Sequence, residues 1–246
     1  MVAGAAALAL LVAQPASAVG TWYTGKKGYY TTNSVQYVGY NQLWINGGAS
    51  AYTYNGPNNK SVAKGEVGAN ARLFTSGGSL ACQRSAYSTQ KLTSGSYWSA
   101  STCTKASGNY YSAGQGLDWW GNGYTKVDLY RTVTSAAKKA AAALPATRTN
   151  ASGETYGSAL AASADDVPDL ILATASNGAE GYVKDTDLTA SAEPSFTSPE
   201  EALAWQEEHA DGVEVPVYAS DGETPVGTFT VEIGGGSAVT RQSSPG

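Results

Sequence analysis

Residues 66–73 alternate between two kinds of side chain. Val67, Ala69, Ala71 and Leu73 take one set of positions, and Glu66, Asn70 and Arg72 take the other. A period of two is the pattern of a β-strand with one face buried. It recurs at Tyr52 and Tyr54 around Thr53, and at Val127 and Leu129 among Lys126, Asp128 and Tyr130. Turn signals separate the runs: Gly47-Gly48, Asn55-Gly56-Pro57-Asn58-Asn59, Gly77-Gly78 and Gly121-Asn122-Gly123. Short strands with turn chemistry between them predict an all-β first domain, an antiparallel sandwich or barrel. Gly121-Asn122-Gly123 is placed to turn a hairpin between residues 110–120 and 124–131.

Charge divides the chain. Residues 19–135 hold ten Lys/Arg against three Asp/Glu, a net +7, whereas residues 151–246 hold seventeen acids against Lys184 and Arg241, a net −15. The overall charge of −5 therefore conceals a basic half joined to an acidic one. Nineteen aromatic residues, including five of the six Trp, lie in the basic half, which marks it as a folded aromatic domain rather than a disordered basic arm. The stretch 136–153, rich in Ala, Ser and Thr, reads as a linker in which 136–143 makes at most two helical turns. Residues 154–233 read as a small α+β domain. Ser198-Pro199-Glu200-Glu201 supplies a capping Ser, a Pro at the first helical position and a Glu three residues after the cap, so a helix runs to about Ala210. Residues 170–175, 181–184, 213–218 and 228–233 read as strands. Residues 234–246 have nothing to pack and read as a disordered tail.

Residues 1–18 are almost purely apolar and end in Ala16-Ser17-Ala18, the h-region and cleavage pattern of a secretory signal peptide. Val19 is then the first mature residue. No later stretch has the length of apolar residues a membrane helix needs, so no integral segment is expected after cleavage. Export to an oxidising compartment favours pairing of the two cysteines, Cys82 and Cys103.

The chain offers little for catalysis. Two Cys and one His do not make a zinc site of the usual kind, and the lone His209 leaves little room for a histidine-based triad. Gly20-Thr21-Trp22-Tyr23-Thr24-Gly25-Lys26 has P-loop spacing, but Lys27 stands where Ser or Thr should hold magnesium. No cofactor and no metal site is expected. Asp185-Thr186-Asp187 reads as a turn or cap rather than a calcium loop. A glycosidase needs two carboxylates, and in the aromatic domain Asp118, beside Trp119 and Trp120, is the most suggestive.

The aromatic pairs Trp22-Tyr23, Tyr29-Tyr30, Tyr110-Tyr111 and Trp119-Trp120 carry the binding reading. Neighbours on a strand point to opposite faces, so each pair places one ring outward. Exposed Tyr and Trp suit sugar rings and make binding hot spots, and nearby cations add affinity for polyanions. Trp22, Tyr30, Tyr111, Trp119, Trp120 and Lys126 are the candidate ligand-binding residues.

Two sets of motifs carry a resemblance. Residues 65–74, Leu80-Ala81-Cys82, residues 110–114 and Gly121-Asn122-Gly123-Tyr124 resemble a family of small secreted actinobacterial β proteins. Asp169-Leu170-Ile171, Gly181-Tyr182-Val183, residues 198–203 and Val215-Pro216-Val217-Tyr218 resemble a short acidic domain common in secreted or membrane-linked actinobacterial proteins. Neither resemblance brings established chemistry with it. The opening Gly20-Thr21-Trp22 is similar to that of lactococcin-type bacteriocins. The expected function is therefore a secreted, non-catalytic protein, extracellular or cell-wall associated, that binds a cell-envelope glycan or anionic polymer and no nucleic acid. The alternatives are a bacteriocin-like antibacterial interaction protein and a hydrolase using Asp118.

Overall fold

The computed structural model describes residues 20–133, 146–160, 167–192 and 194–240. The cleavage point before Val19 and the run 136–143 lie outside them. The first half supplies β1 (Thr21–Thr24), β2 (Gly28–Thr32), β3 (Val35–Ile45), β4 (Gly48–Pro57), β5 (Val67–Thr75), β6 (Leu80–Tyr87), β7 (Ser96–Ser101), β8 (Lys105–Ala106), β9 (Tyr110–Ser112), β10 (Gln115–Trp119) and β11 (Tyr124–Asp128). The second half adds β12 (Arg148–Thr149), β13 (Thr155–Gly157), β14 (Leu170–Thr174), β15 (Glu180–Lys184), α1 (Asp185–Ala192), α2 (Pro199–Glu208), β16 (Val213–Tyr218), β17 (Pro225–Ile233) and β18 (Ser237–Thr240).

One sheet runs β1-β3-β4-β7-β18, with β2 also on β3 and β8 on β4. The other runs β11-β10-β5-β6-β17-β16-β15-β14-β13-β12, with β9 on β5, and a further pairing of β14 with β6 closes β6-β17-β16-β15-β14 into a barrel. The fold is thus an all-β sandwich with one disulfide, continued into a small α+β barrel. The alternation at residues 66–73 led to this class because one set of its side chains does face the opposing sheet. Ala69, Ala71 and Ala86 pack against Tyr37, Trp98 and Ala100, while Leu73 and Cys82 meet Leu43, Ala49 and Ala51. Cys82 on β6 bonds to Cys103, between β7 and β8, across a Cα–Cα distance of 6.0 Å. The bond ties one sheet to the other, and closing a loop of this size contributes about 3 kcal/mol in the chain-entropy model. Four strands of the barrel wrap Ile171, Val183, Val215, Val217, Phe229 and Val231, with Leu188 and Ala192 of α1 against them.

The Ser198 hydroxyl accepts from the Glu201 backbone N–H at 3.2 Å, and a Glu201 carboxylate oxygen accepts from the Thr197 N–H at 2.7 Å, so α2 opens with its cap closed from both sides. The expected hairpin forms between β10 and β11, with Trp119 opposite Tyr124. Its first arm is shorter than expected: at Ala113-Gly114 the chain leaves β5 and returns farther along it, so residues 110–112 make a separate strand.

Three other expectations are corrected. Asn55-Gly56-Pro57 is not a turn but the end of β4, because Gly56 lies against the Ser96–Tyr97 backbone where no Cβ fits and Asn55 is buried. Residues 234–246 are not all loose tail. Gly234 and Gly235, at φ of 76° and 70°, carry the chain from one sheet to the other, where β18 pairs with β7. The side chains of β18 are all exposed, so its backbone ladder leaves no apolar period to read. Arg148–Thr149, inside the expected linker, pairs with β13 as a strand too short for periodicity. The stretch with P-loop spacing, set aside on its Lys27, contains the extended strand β1.

Candidate functional site

β3 and β4 form a hairpin about Asn46-Gly47-Gly48, and the fold gains its aromatic surface there. The register sets Trp44 opposite Ser50, Gln42 opposite Tyr52 and Tyr40 opposite Tyr54. Tyr40, Gln42, Trp44, Tyr52 and Tyr54 share the outer face, and odd-numbered Leu43, Asn41, Ala51, Thr53 and Asn55 fill the interior. β1 lies against β3 with Trp22 opposite Trp44. The Trp22 ring centroid is 4.6 Å from that of Trp44 and 5.1 Å from that of Tyr52. Trp22 is 46% exposed. Gly20 approaches the Trp44 indole too closely for any Cβ.

Farther along β3, the Tyr40 and Tyr54 rings stack at 4.6 Å and 7° between planes, with Tyr97 of β7 edge-on to both. Burial lifts the Tyr54 hydroxyl above its usual range. Between the two clusters the Gln42 amide donates to the Thr24 hydroxyl at 2.9 Å. Tyr40 and Trp44 are four residues apart on β3, so the aromatic row spans roughly 13 Å along the strand. Lys27 stands at one end, its ammonium 5.8 Å from the Tyr40 ring centroid.

The residues singled out from the sequence scatter around this surface. Trp22 belongs to it. Trp120 is exposed at 58%, at the tip of the β10–β11 hairpin, and Trp119 packs half-buried against Tyr124. Lys126 is exposed on β11 and donates to the Thr189 hydroxyl of α1 at 3.0 Å. Tyr30 and Tyr111 are corrections. The Tyr30 hydroxyl points inward and donates to Asn55 at 2.7 Å, while Tyr111 is 4% exposed in the core. Opposite orientation of neighbours holds, but the outward member is the other one: Tyr29, at 60%, and the half-buried Tyr110. Sequence reading missed Lys27, Tyr40, Trp44, Tyr52, Tyr54 and Tyr97. A usable signal existed, because a hairpin centred on Gly47 sets Tyr40 against Tyr54.

Asp118 lies in the sandwich interior, with no exposure to solvent. The Asn55 amide donates to one of its carboxylate oxygens at 3.0 Å, and the other has no protein partner. Burial raises the Asp118 pKa to about 7, against the opposing pull of the Asn55 amide and of the nearby Tyr30 hydroxyl. A hydrolase needs a carboxylate at a bond that water can reach. Asp118 faces the opposing sheet instead, so the polar interior holds the sheets in register and presents no reacting surface. A neighbouring network does the same: the Asn41 carbonyl accepts from Thr53 at 2.7 Å and from the Gly114 N–H at 3.0 Å.

Asp185 and Asp187 lie in the first turn of α1, where negative charge suits the helix dipole. Among the described residues no three His, Cys, Asp or Glu converge on a position that could hold a metal ion. No helix among them is long and apolar enough to cross a membrane. Fold and surface together define a disulfide-stapled β sandwich with an aromatic outer face, sharing a strand with a small barrel. Comparison with protein-family models, characterised proteins and solved structures finds no match to this chain.

Proposed function

We propose that the protein is a secreted, non-catalytic binder of a cell-envelope or other extracellular glycan, and that the outer face of the β1-β3-β4-β7 sheet is its binding surface. One observation carries this reading: the row Trp22, Trp44, Tyr52, Tyr40 and Tyr54 on neighbouring strands of a rigid sheet. Aromatic rings offer apolar faces to the C–H faces of sugars, and their fixed placement lowers the entropy lost on binding. The Gln42–Thr24 pair between the clusters adds polar groups for hydroxyls. The disulfide and the signal-like amino terminus agree with an extracellular setting, where such polymers are found. The reading calls on no nucleic acid, metal or cofactor.

Sedimentation of the protein with insoluble peptidoglycan tests it. The double variant Trp22→Ala/Trp44→Ala is expected to bind roughly tenfold more weakly or worse, as loss of a hot-spot pair requires. Unchanged binding by a variant with native far-ultraviolet circular dichroism would move the site elsewhere.

A further inference from the structure

The Tyr40–Tyr54 end of the row differs from the Trp22–Trp44 end in being a groove. It has a volume of about 290 Å³ and is lined by Lys27, Tyr40, Gln42, Tyr54, Tyr97 and Val239. Its far wall comes from the other half of the chain. β18 pairs with β7 so that Val239 sits opposite Tyr97, and Thr240 also lines the groove. A surface that would be open on the sandwich alone is therefore closed on one side by a strand that follows the barrel.

Charge in the groove is of one sign. Lys27 lines it, and no Asp or Glu does. Among the described residues Lys27 enters no salt bridge, although 17 of the chain's 20 acids lie in residues 151–246. Its ammonium rests instead at the Tyr40 ring, an arrangement that holds a cation beside an aromatic surface without neutralising it. Gln42 and the tyrosine hydroxyls add uncharged hydrogen-bonding groups. An apolar ring wall, uncharged polar groups and one cation free of acidic neighbours together match a sugar ring that carries an acid.

We infer that this groove is the subsite for an anionic sugar unit of the glycan, with the ring against Tyr40, Tyr54 and Val239 and the carboxylate or phosphate at the Lys27 ammonium. The inference rests on the aromatic face being the glycan-binding surface. It makes the target an anionic glycan rather than a neutral one, and it gives the carboxyl-terminal strand a part in the site. A carboxylate on a uronic acid and a phosphate on a polyol-phosphate chain present the same chemistry to Lys27.

The test is calorimetric titration of the full chain with three soluble probes at low and high salt: a neutral N-acetylglucosamine oligomer, an oligogalacturonate and a teichoic acid. At low salt an anionic probe is expected to bind about fivefold more tightly than the neutral one, the size of one partly exposed charge pair. Salt should erase the difference. Lys27→Gln should erase it too, weakening the anionic probes more than the neutral oligomer. Val239→Asp, which puts a carboxylate in the groove wall, should weaken the anionic probes selectively. The anionic probe that loses affinity in Lys27→Gln identifies carboxylate or phosphate as the source, and loss for both assigns the site to anions generally. Equal binding of all three probes by the native protein, or an anionic preference that survives Lys27→Gln, overturns the inference but leaves the glycan-binding reading standing. No binding of any probe, by a protein that also fails to sediment with peptidoglycan, removes both.

Discussion

The sandwich and the barrel share β6, yet their interiors differ in how much polar surface they bury. The barrel interior is branched and aromatic hydrocarbon: Ile171, Val183, Val215, Val217, Phe229 and Val231. The sandwich interior mixes Ala69, Ala71, Ala86 and Ala100 with Tyr37, Leu43, Leu73 and Trp98, and it also carries buried Asn41, Thr53, Asn55 and Asp118. Burying a large apolar side chain stabilises by about 1.5–3 kcal/mol, whereas a buried polar group costs free energy unless it is hydrogen-bonded. The sandwich therefore depends on its disulfide and on hydrogen bonds that work at one register only. The barrel needs little beyond its filling. The carboxylates differ in the same sense. Asp118 is pushed up by burial, whereas Asp221 is held down to about 2 by hydrogen bonds from Thr224 and the Glu223 N–H in an open turn.

Deleting residues 146–240 should have the largest effect. β17 runs parallel to β6 from Val231 opposite Gln83 to Ile233 opposite Ser85, and β14 meets β6 at Leu80. The Tyr87 N–H donates to Gln206 at 2.7 Å, and Arg84 pairs with Glu232 at 3.1 Å. Without these partners Phe74, Leu80 and Tyr87 lose their cover. Uncovering three large side chains forfeits on the order of 5–9 kcal/mol, comparable with the whole stability of a domain. Residues 20–133 expressed alone are expected to show no cooperative thermal transition by near-ultraviolet circular dichroism. A sharp transition would show that the polar-layered sandwich stands without the barrel.

Asp118→Asn comes next, and its sign is set by linkage. The folded state holds the Asp118 proton up to about pH 7, while the unfolded chain releases it near 3.8. The folded state therefore binds more protons between these values, and stability falls as pH rises through that window. Asn keeps the shape and stays neutral, so it should remove this slope and stabilise by roughly 3–4 kcal/mol at pH 7 and above. Urea unfolding from pH 4 to pH 8 measures it. A variant less stable than the native protein at pH 8 would mean that the carboxylate, once ionised, is well accommodated.

The smallest effect is expected at the α2 cap. Ser198→Ala removes the acceptor for the Glu201 N–H and should cost about 1 kcal/mol. Hydrogen exchange should place the loss in α2 and the aromatic contacts of Trp205 and Phe196 before it reaches β3 and β4. Uniform loss across both sheets would show that sandwich and barrel open as one unit.

The barrel's Val213–Tyr218 strand and the capped helix α2 were legible because the first is set by alternating burial and the second by a local cap. The α1 helix was not. Its Thr and Ser residues have modest helix propensity, and Leu188 and Ala192 are buried only because the barrel lies beside them. In the candidate site Trp22 was legible as an outward ring. Its partners Trp44 and Tyr52 were not, because they join it through strand pairing rather than through sequence proximity.

By itself the sequence determined the β class, the division of charge, the cysteine pairing, the cap of α2 and the hairpin at Gly121-Asn122-Gly123. Each of these follows from local geometry, from composition or from there being a single possible pair. Only the tertiary structure decided that Tyr29 rather than Tyr30 faces outward, that β6 serves both sandwich and barrel, and that β18 walls an aromatic groove beside Lys27. The physical reason is register. A strand's period of two says that neighbouring side chains part company, but which of them meets water depends on hydrogen bonds to strands far away in the chain.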